Sequence, residues 1–143
     1  MTPLDQVQGL YQQYLDQAAE VEKRTPAAAG IFGMGKKASD DPCHEQFVQR
    51  LKELMDQFKA DHIESSALRE ALVYVFRAHA EHQRFMSVYW TLIAAHSATL
   101  DVIPLLSQSD AAALYALYDK SFKRRDRFPA QTKVLKQLEK AMR

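Results

Sequence analysis

The stretch Ser66–Leu100, SALREALVYVFRAHAEHQRFMSVYWTLIAAHSATL, decides how this chain folds: it holds neither glycine nor proline, yet as one straight helix it would overrun a compact domain. Its apolar residues recur at three- and four-residue spacing through Leu68, Leu72, Val75 and Phe76, and again through Met86, Trp90 and Ile93. That is the period of an amphipathic helix. Unbroken, it would run about 52 Å at 1.5 Å per residue. A compact domain of this length is only about 37 Å across. The polar block Arg77-Ala-His-Ala-Glu-His-Gln-Arg84 is therefore expected to turn or kink, with Ser87 a candidate cap for a new helix. That helix, about 86–100, is apolar nearly all round: Met86, Val88, Tyr89, Trp90, Leu92, Ile93, Ala94 and Ala95. Such a helix is expected at the centre of a bundle.

Outward from this stretch the chain is helical in both directions. Thr2, Pro3 and Asp5 suit a capped first turn, and Leu4, Val7, Tyr11, Tyr14, Ala18 and Val21 supply one apolar face up to Lys23-Arg24. Asp41-Pro42 opens a second helix along Phe47, Leu51, Leu54 and Phe58, widened by Val48 and Met55 and ending near Asp61-His62. Ser65 or Ser66 is expected to cap the third. Ser107 or Ser109 caps a fifth bearing Ala113, Leu114, Leu117, Tyr118 and Phe122, and Pro129 opens a sixth through Val134, Leu135, Leu138 and Met142. The expected fold is all-α: an irregular bundle of five to six helices without a sheet, one domain over residues 1–143. Its long irregular segment is a Gly-rich loop at about 25–41. Connections in helical bundles usually run two to eight residues, so this one invites a functional reading.

Composition narrows the function classes. The chain is 47% hydrophobic and 26% charged, an ordinary globular balance. Met1-Thr2-Pro3-Leu4-Asp5 lacks the basic start and apolar run of a signal peptide, no stretch is suited to span a bilayer, and a lone cysteine fits a reducing, cytoplasmic setting. Net charge is +1, but residues 119–143 hold nine Lys/Arg against three Asp/Glu, leaving that segment at +6 and the remainder at −5. Within it, Lys120–Phe128 mixes cations with aromatics, as a phosphate-binding surface would. No nucleic-acid motif accompanies it, and cations near helix C-termini are expected anyway.

Gly30-x-x-x-x-Gly35-Lys36-Lys37 approaches a phosphate-binding loop, but Lys37 stands where the magnesium-holding Ser or Thr belongs. A preceding strand is also missing. Nucleotide hydrolysis is set aside, and Ile31 and Phe32 are expected to pin this loop to the bundle, with Lys36 and Lys37 left to meet an anion. Cys43 begins a helix, where the macrodipole favours a thiolate, yet Asp40 and Asp41 beside it favour the thiol. His44, His79 or His82, and His96 fall on or beside apolar lines. Convergence of His44, His82 and His96, with Cys43 nearby, would make a site for zinc or another transition metal.

No catalytic constellation is complete. The leading expectation is a non-catalytic interaction module acting through the Gly-rich loop or an exposed helix groove, on a protein partner not identified by sequence. A metal-binding bundle, or a metal-dependent enzyme built on the histidines, is the first alternative. Electrostatic binding of phosphate or nucleic acid through 120–143 is the second. Self-association is compatible with all three.

Overall fold

A computed structural model describes residues 1–25, 37–123 and 127–143. Its helices are α1 (Pro3–Arg24), α2 (Cys43–Ala60), α3 (Ser65–Glu81), α4 (Met86–Ala94), α5 (Gln108–Ser121) and α6 (Pro129–Ala141), with short 3-10 turns at Ala38–Asp40, Ala95–Thr99 and Ile103–Leu105. Helix accounts for 81% of the described residues, and no strand occurs among them. Among them, no helix is long and apolar enough to cross a membrane.

Local chemistry sets most boundaries. Thr2 Oγ1 accepts from the Asp5 N–H at 3.1 Å while the Asp5 carboxylate accepts from the Thr2 N–H at 3.2 Å, so α1 begins in a capping box. Its buried line is Val7, Tyr11, Tyr14, Ala18 and Val21. Asp41 Oδ1 accepts from the Cys43 N–H at 2.9 Å and holds the first turn of α2. Along α2, Met55 rather than Leu54 joins Phe47, Leu51 and Phe58 in the core. Four residues on from Leu51 come closer than three to a full 3.6-residue turn.

The break expected in the long glycine-free stretch falls at residues 82–85, between α3 and α4. Three details there differ from expectation. The hydroxyl of Ser65 does not cap α3. It accepts from the Ser107 N–H at 2.7 Å and donates to the Asp110 carboxylate at 2.5 Å, fastening the starts of α3 and α5 together. Ser87 lies inside the first turn of α4 and donates to Glu22 on α1 at 2.7 Å. Finally, α4 is short and peripheral, exposing 62% of Met86 and 45% of Trp90. The centre is taken by the turn after it: Ala95, His96, Ala98 and Thr99 are buried among α2, α3, α4 and α6. Two alanines let four helices approach where a tryptophan would hold them apart. α3 is the other hub, packed on α1, α4 and α5.

Three substitutions test these helix ends. Ser107 Oγ accepts from the Asp110 N–H at 3.2 Å, so Ser107→Ala is expected to cost about 1 kcal/mol in urea unfolding. Ser109→Ala should change stability by less than about 0.5 kcal/mol. His62, after the end of α2, holds a left-handed φ of 53°, a conformation that burdens a residue with a Cβ. His62→Gly is expected to stabilise by about 0.5 kcal/mol in the same assay, the relief of strain outweighing glycine's greater freedom when unfolded.

Candidate functional site

The residues expected as metal ligands are not brought together. His44 Nε2–H donates to the Ala38 carbonyl at 2.9 Å, which leaves Nδ1 to accept from the Tyr14 hydroxyl at 2.7 Å. Both ring nitrogens are committed, and no lone pair is left for a metal. His82 lies at the C-terminal cap of α3, beyond its last turn. Cys43 is buried, and its thiol is pushed up to about 12, first by burial and then by the neighbouring Asp41 carboxylate. Among the described residues no three His, Cys, Asp or Glu side chains are grouped to hold a metal ion. The set His44, His82, His96 and Cys43 is thus corrected: His44 faces α1, His96 faces α5, and His82 sits past a helix end. Ile31, Phe32 and Lys36 lie outside the described residues. Lys37 is exposed, and its backbone N–H donates to the Asp40 carboxylate at 3.2 Å.

The histidine that meets His96 is His79, on α3. Their ring centroids are 5.2 Å apart at 70°. His96 is fully buried, and its Nδ1 is hydrogen-bonded to the Tyr118 hydroxyl at 2.7 Å. Its Nε2 finds no hydrogen-bond partner, and neither does Nδ1 of His79. Phe76 and Phe122 close the cluster, the latter stacked on His79 at 5.0 Å and 15°. Burial, aided by the nearby His79, pushes His96 down to about 3, and burial lowers His79. Both rings are neutral at physiological pH.

His79 also lines a groove of about 570 Å³ between α4 and the α5–α6 connection. Tyr89, Trp90 and Ile93 come from α4, Phe122 from the end of α5, and Lys123, Arg127 and Phe128 from the connection. At the rim, Trp90 and Phe128 meet edge to face at 5.4 Å and 78°. Phe128 is held by its backbone N–H, which donates to Oε1 of the fully buried Gln131 at 3.1 Å. Arg127 is engaged with the end of α5, donating to the Phe122 carbonyl at 3.1 Å and to the Asp119 carboxylate at 2.7 Å. Lys123 is exposed. The result is an aromatic slot with a cationic edge, a concave site of the size that holds ligands.

His79 lies three residues from Phe76 and four from Val75, both buried; His82, seven residues from Val75, keeps the same register, but α3 ends at Glu81 before reaching it. Trp90 and Phe128 carried no such signal.

The two neutral imidazoles impose a pH dependence. Below the ordinary value of 6.5 the unfolded chain takes a proton at His96 that the folded one refuses until about 3. Stability should therefore fall as pH drops through that window, by about 1.4 kcal/mol per pH unit for His96 alone. His79 acts in the same direction. Urea unfolding at pH 6.5, 5.5 and 4.5 should show this slope, and His96→Gln should flatten it. Asp5, Asp41, Asp101 and Asp110 are held below 3.8 and act only at lower pH.

No family model matches this chain, and no curated protein or solved structure is significantly similar to it.

Proposed function

We propose that this chain is a non-catalytic binding module that receives an apolar group of an acidic protein partner in the groove between α4 and the α5–α6 connection. One observation carries the reading. Trp90 and Phe128 are exposed by 45% and 46% and touch each other at the rim of a concave site. Among the described residues the other large apolar side chains so exposed are Met1 and Met86. Single exposed hydrophobics are ordinary, but a paired aromatic rim on a groove marks a contact surface. Aromatic residues are also the commonest anchors of binding energy. The +6 charge of residues 119–143 supports an acidic partner, and the lone buried cysteine suits a cytoplasmic setting for such a module.

Trp90 is the only tryptophan, so its emission reports on this groove. The aromatic anion 8-anilino-1-naphthalenesulfonate is expected to bind at one saturable site, quench Trp90 by energy transfer and weaken as salt rises. Phe128→Ser should reduce its affinity about tenfold, equivalent to about 1.4 kcal/mol, and leave the circular dichroism spectrum unchanged. Dye binding that is indifferent to Phe128, or that leaves Trp90 emission untouched, would remove the groove from consideration.

A further inference from the structure

Resting on that reading of the groove, we infer that the partner segment whose apolar group enters it continues as an acidic run along the exposed face of α6, paired there by Lys133, Lys136 and Lys140.

This row is continuous with the groove. Phe128, one half of the aromatic rim, is also the residue at the N-cap of α6. Beyond it Lys133, Lys136 and Lys140 are all exposed. Spacings of three and four residues put them on one face of the helix. From Phe128 to Lys140 is about 18 Å along the axis, and the three lysines occupy about the last 10.5 Å of it. The opposite face, Gln131, Val134, Leu135 and Leu138, is buried in the bundle.

The helix does not account for the row by itself. Like charges three and four residues apart repel each other. The macrodipole favours a cation in the last turn, which covers Lys140 but neither Lys133 nor Lys136. The first turn of α6 holds no acidic residue. Among the described residues the ion pairs engage Lys52, Arg69, Arg127 and Arg143, and none of the three lysines. Glu139, the one acid on α6, is taken by Arg143 at 2.7 Å.

The chemistry along the row selects carboxylates on a polypeptide. A single-stranded nucleic acid brings a base with every phosphate and asks for aromatic platforms along its path. Residues 129–143 contain no aromatic side chain. Guanidinium forks suited to phosphate are spent as well, Arg127 on Asp119 and Arg143 on Glu139. A bilayer would need an apolar helix face turned outward, and that of α6 is turned inward. What remains is one aromatic slot followed by three ammonium groups, the complement of one apolar anchor beside a run of acids. Five or six extended residues, at about 3.3 Å each, cover the distance.

The capped peptide Glu-Glu-Glu-Glu-Gly-Phe-Gly-Glu-Glu-Glu-Glu, acidic on both sides of its anchor so that chain direction is immaterial, tests this by titration against Trp90 emission. Its counterpart carries Gln for every Glu. The acidic peptide is expected to saturate and to bind at least about tenfold more tightly. Combining Lys133→Gln, Lys136→Gln and Lys140→Gln should weaken it about tenfold, about twofold for each exposed pair, and leave the Gln peptide unchanged. The naphthalenesulfonate dye should change by less than about twofold, since its site is the groove. Combining Lys23→Gln, Arg50→Gln and Arg77→Gln removes the same charge from exposed positions on α1, α2 and α3, and should weaken the acidic peptide by less than about twofold. Circular dichroism establishes that the variants are folded; if the α6 triple variant is not, its three single substitutions carry the test. Equal affinity of the two peptides, indifference to the α6 lysines, or equal sensitivity to the control set overturns the inference. So does tighter binding of a twelve-residue oligothymidylate or of phosphatidylserine vesicles through the same lysines, which would make nucleic acid or a membrane the occupant. If neither peptide binds while the dye does, the α6 inference falls and the groove reading stands. If the dye also fails, both fall.

Discussion

A polar ring sealed inside a protein must keep its hydrogen bond, and the architecture here is arranged around one such ring. His96 sits with 0% exposure in the turn Ala95–Thr99, and Tyr118 reaches it from α5 at 2.7 Å. Losing that partner would leave a second buried ring nitrogen unsatisfied, at a cost of about 1–3 kcal/mol. The bond therefore fixes α5 against the turn. Through Phe76, at 4.7 Å from Tyr118 and 5.5 Å from His96, it fixes α3 as well. Gln131 of α6 comes to the same region, its amide 3.5 Å from the Ile93 carbonyl while its Oε1 holds Phe128. The floor of the groove and its rim are thus both tied to the core by hydrogen bonds.

Local signals were legible in the sequence and long-range ones were not. The capping box at Thr2 and Asp5, Ser107 as the cap of α5 and Pro129 at the start of α6 all act within four residues, so their residue types announce them. The break before Met86 followed from length alone. The role of Ser65 escaped because its partner Asp110 lies 45 residues away, and no local pattern encodes that meeting. The position of α4 escaped for a different reason. A segment apolar on every side has no preferred face, so its sequence does not say which residues are left outside. The structure leaves out Met86 and Trp90 and gives the centre to small residues one turn later.

The groove shows the same division. Its cationic edge was visible as composition, but Arg127 spends its guanidinium on the carbonyls and carboxylate at the end of α5. A charge run read as ligand-binding is here partly the device that closes a helix. His79, Trp90, Phe122 and Phe128 meet from four separate stretches of chain, and no spacing rule joins them. His44, His79 and His96 are buried as their apolar registers implied and His82 is not, and the pairing of His96 with His79 rather than with His44 depends on how α3 leans on the turn.

Burial makes Cys43 a gauge of local opening. A thiol held near 12 offers almost no thiolate at neutral pH, and it is shut from solvent besides. Alkylating reagents attack the thiolate, so they reach this side chain only when the first turn of α2 has come apart. It is the sole cysteine, so mass added to the chain over time counts those openings and nothing else. The rate of labelling, compared with that of the unfolded chain, converts directly into the free energy of local opening where α2 begins.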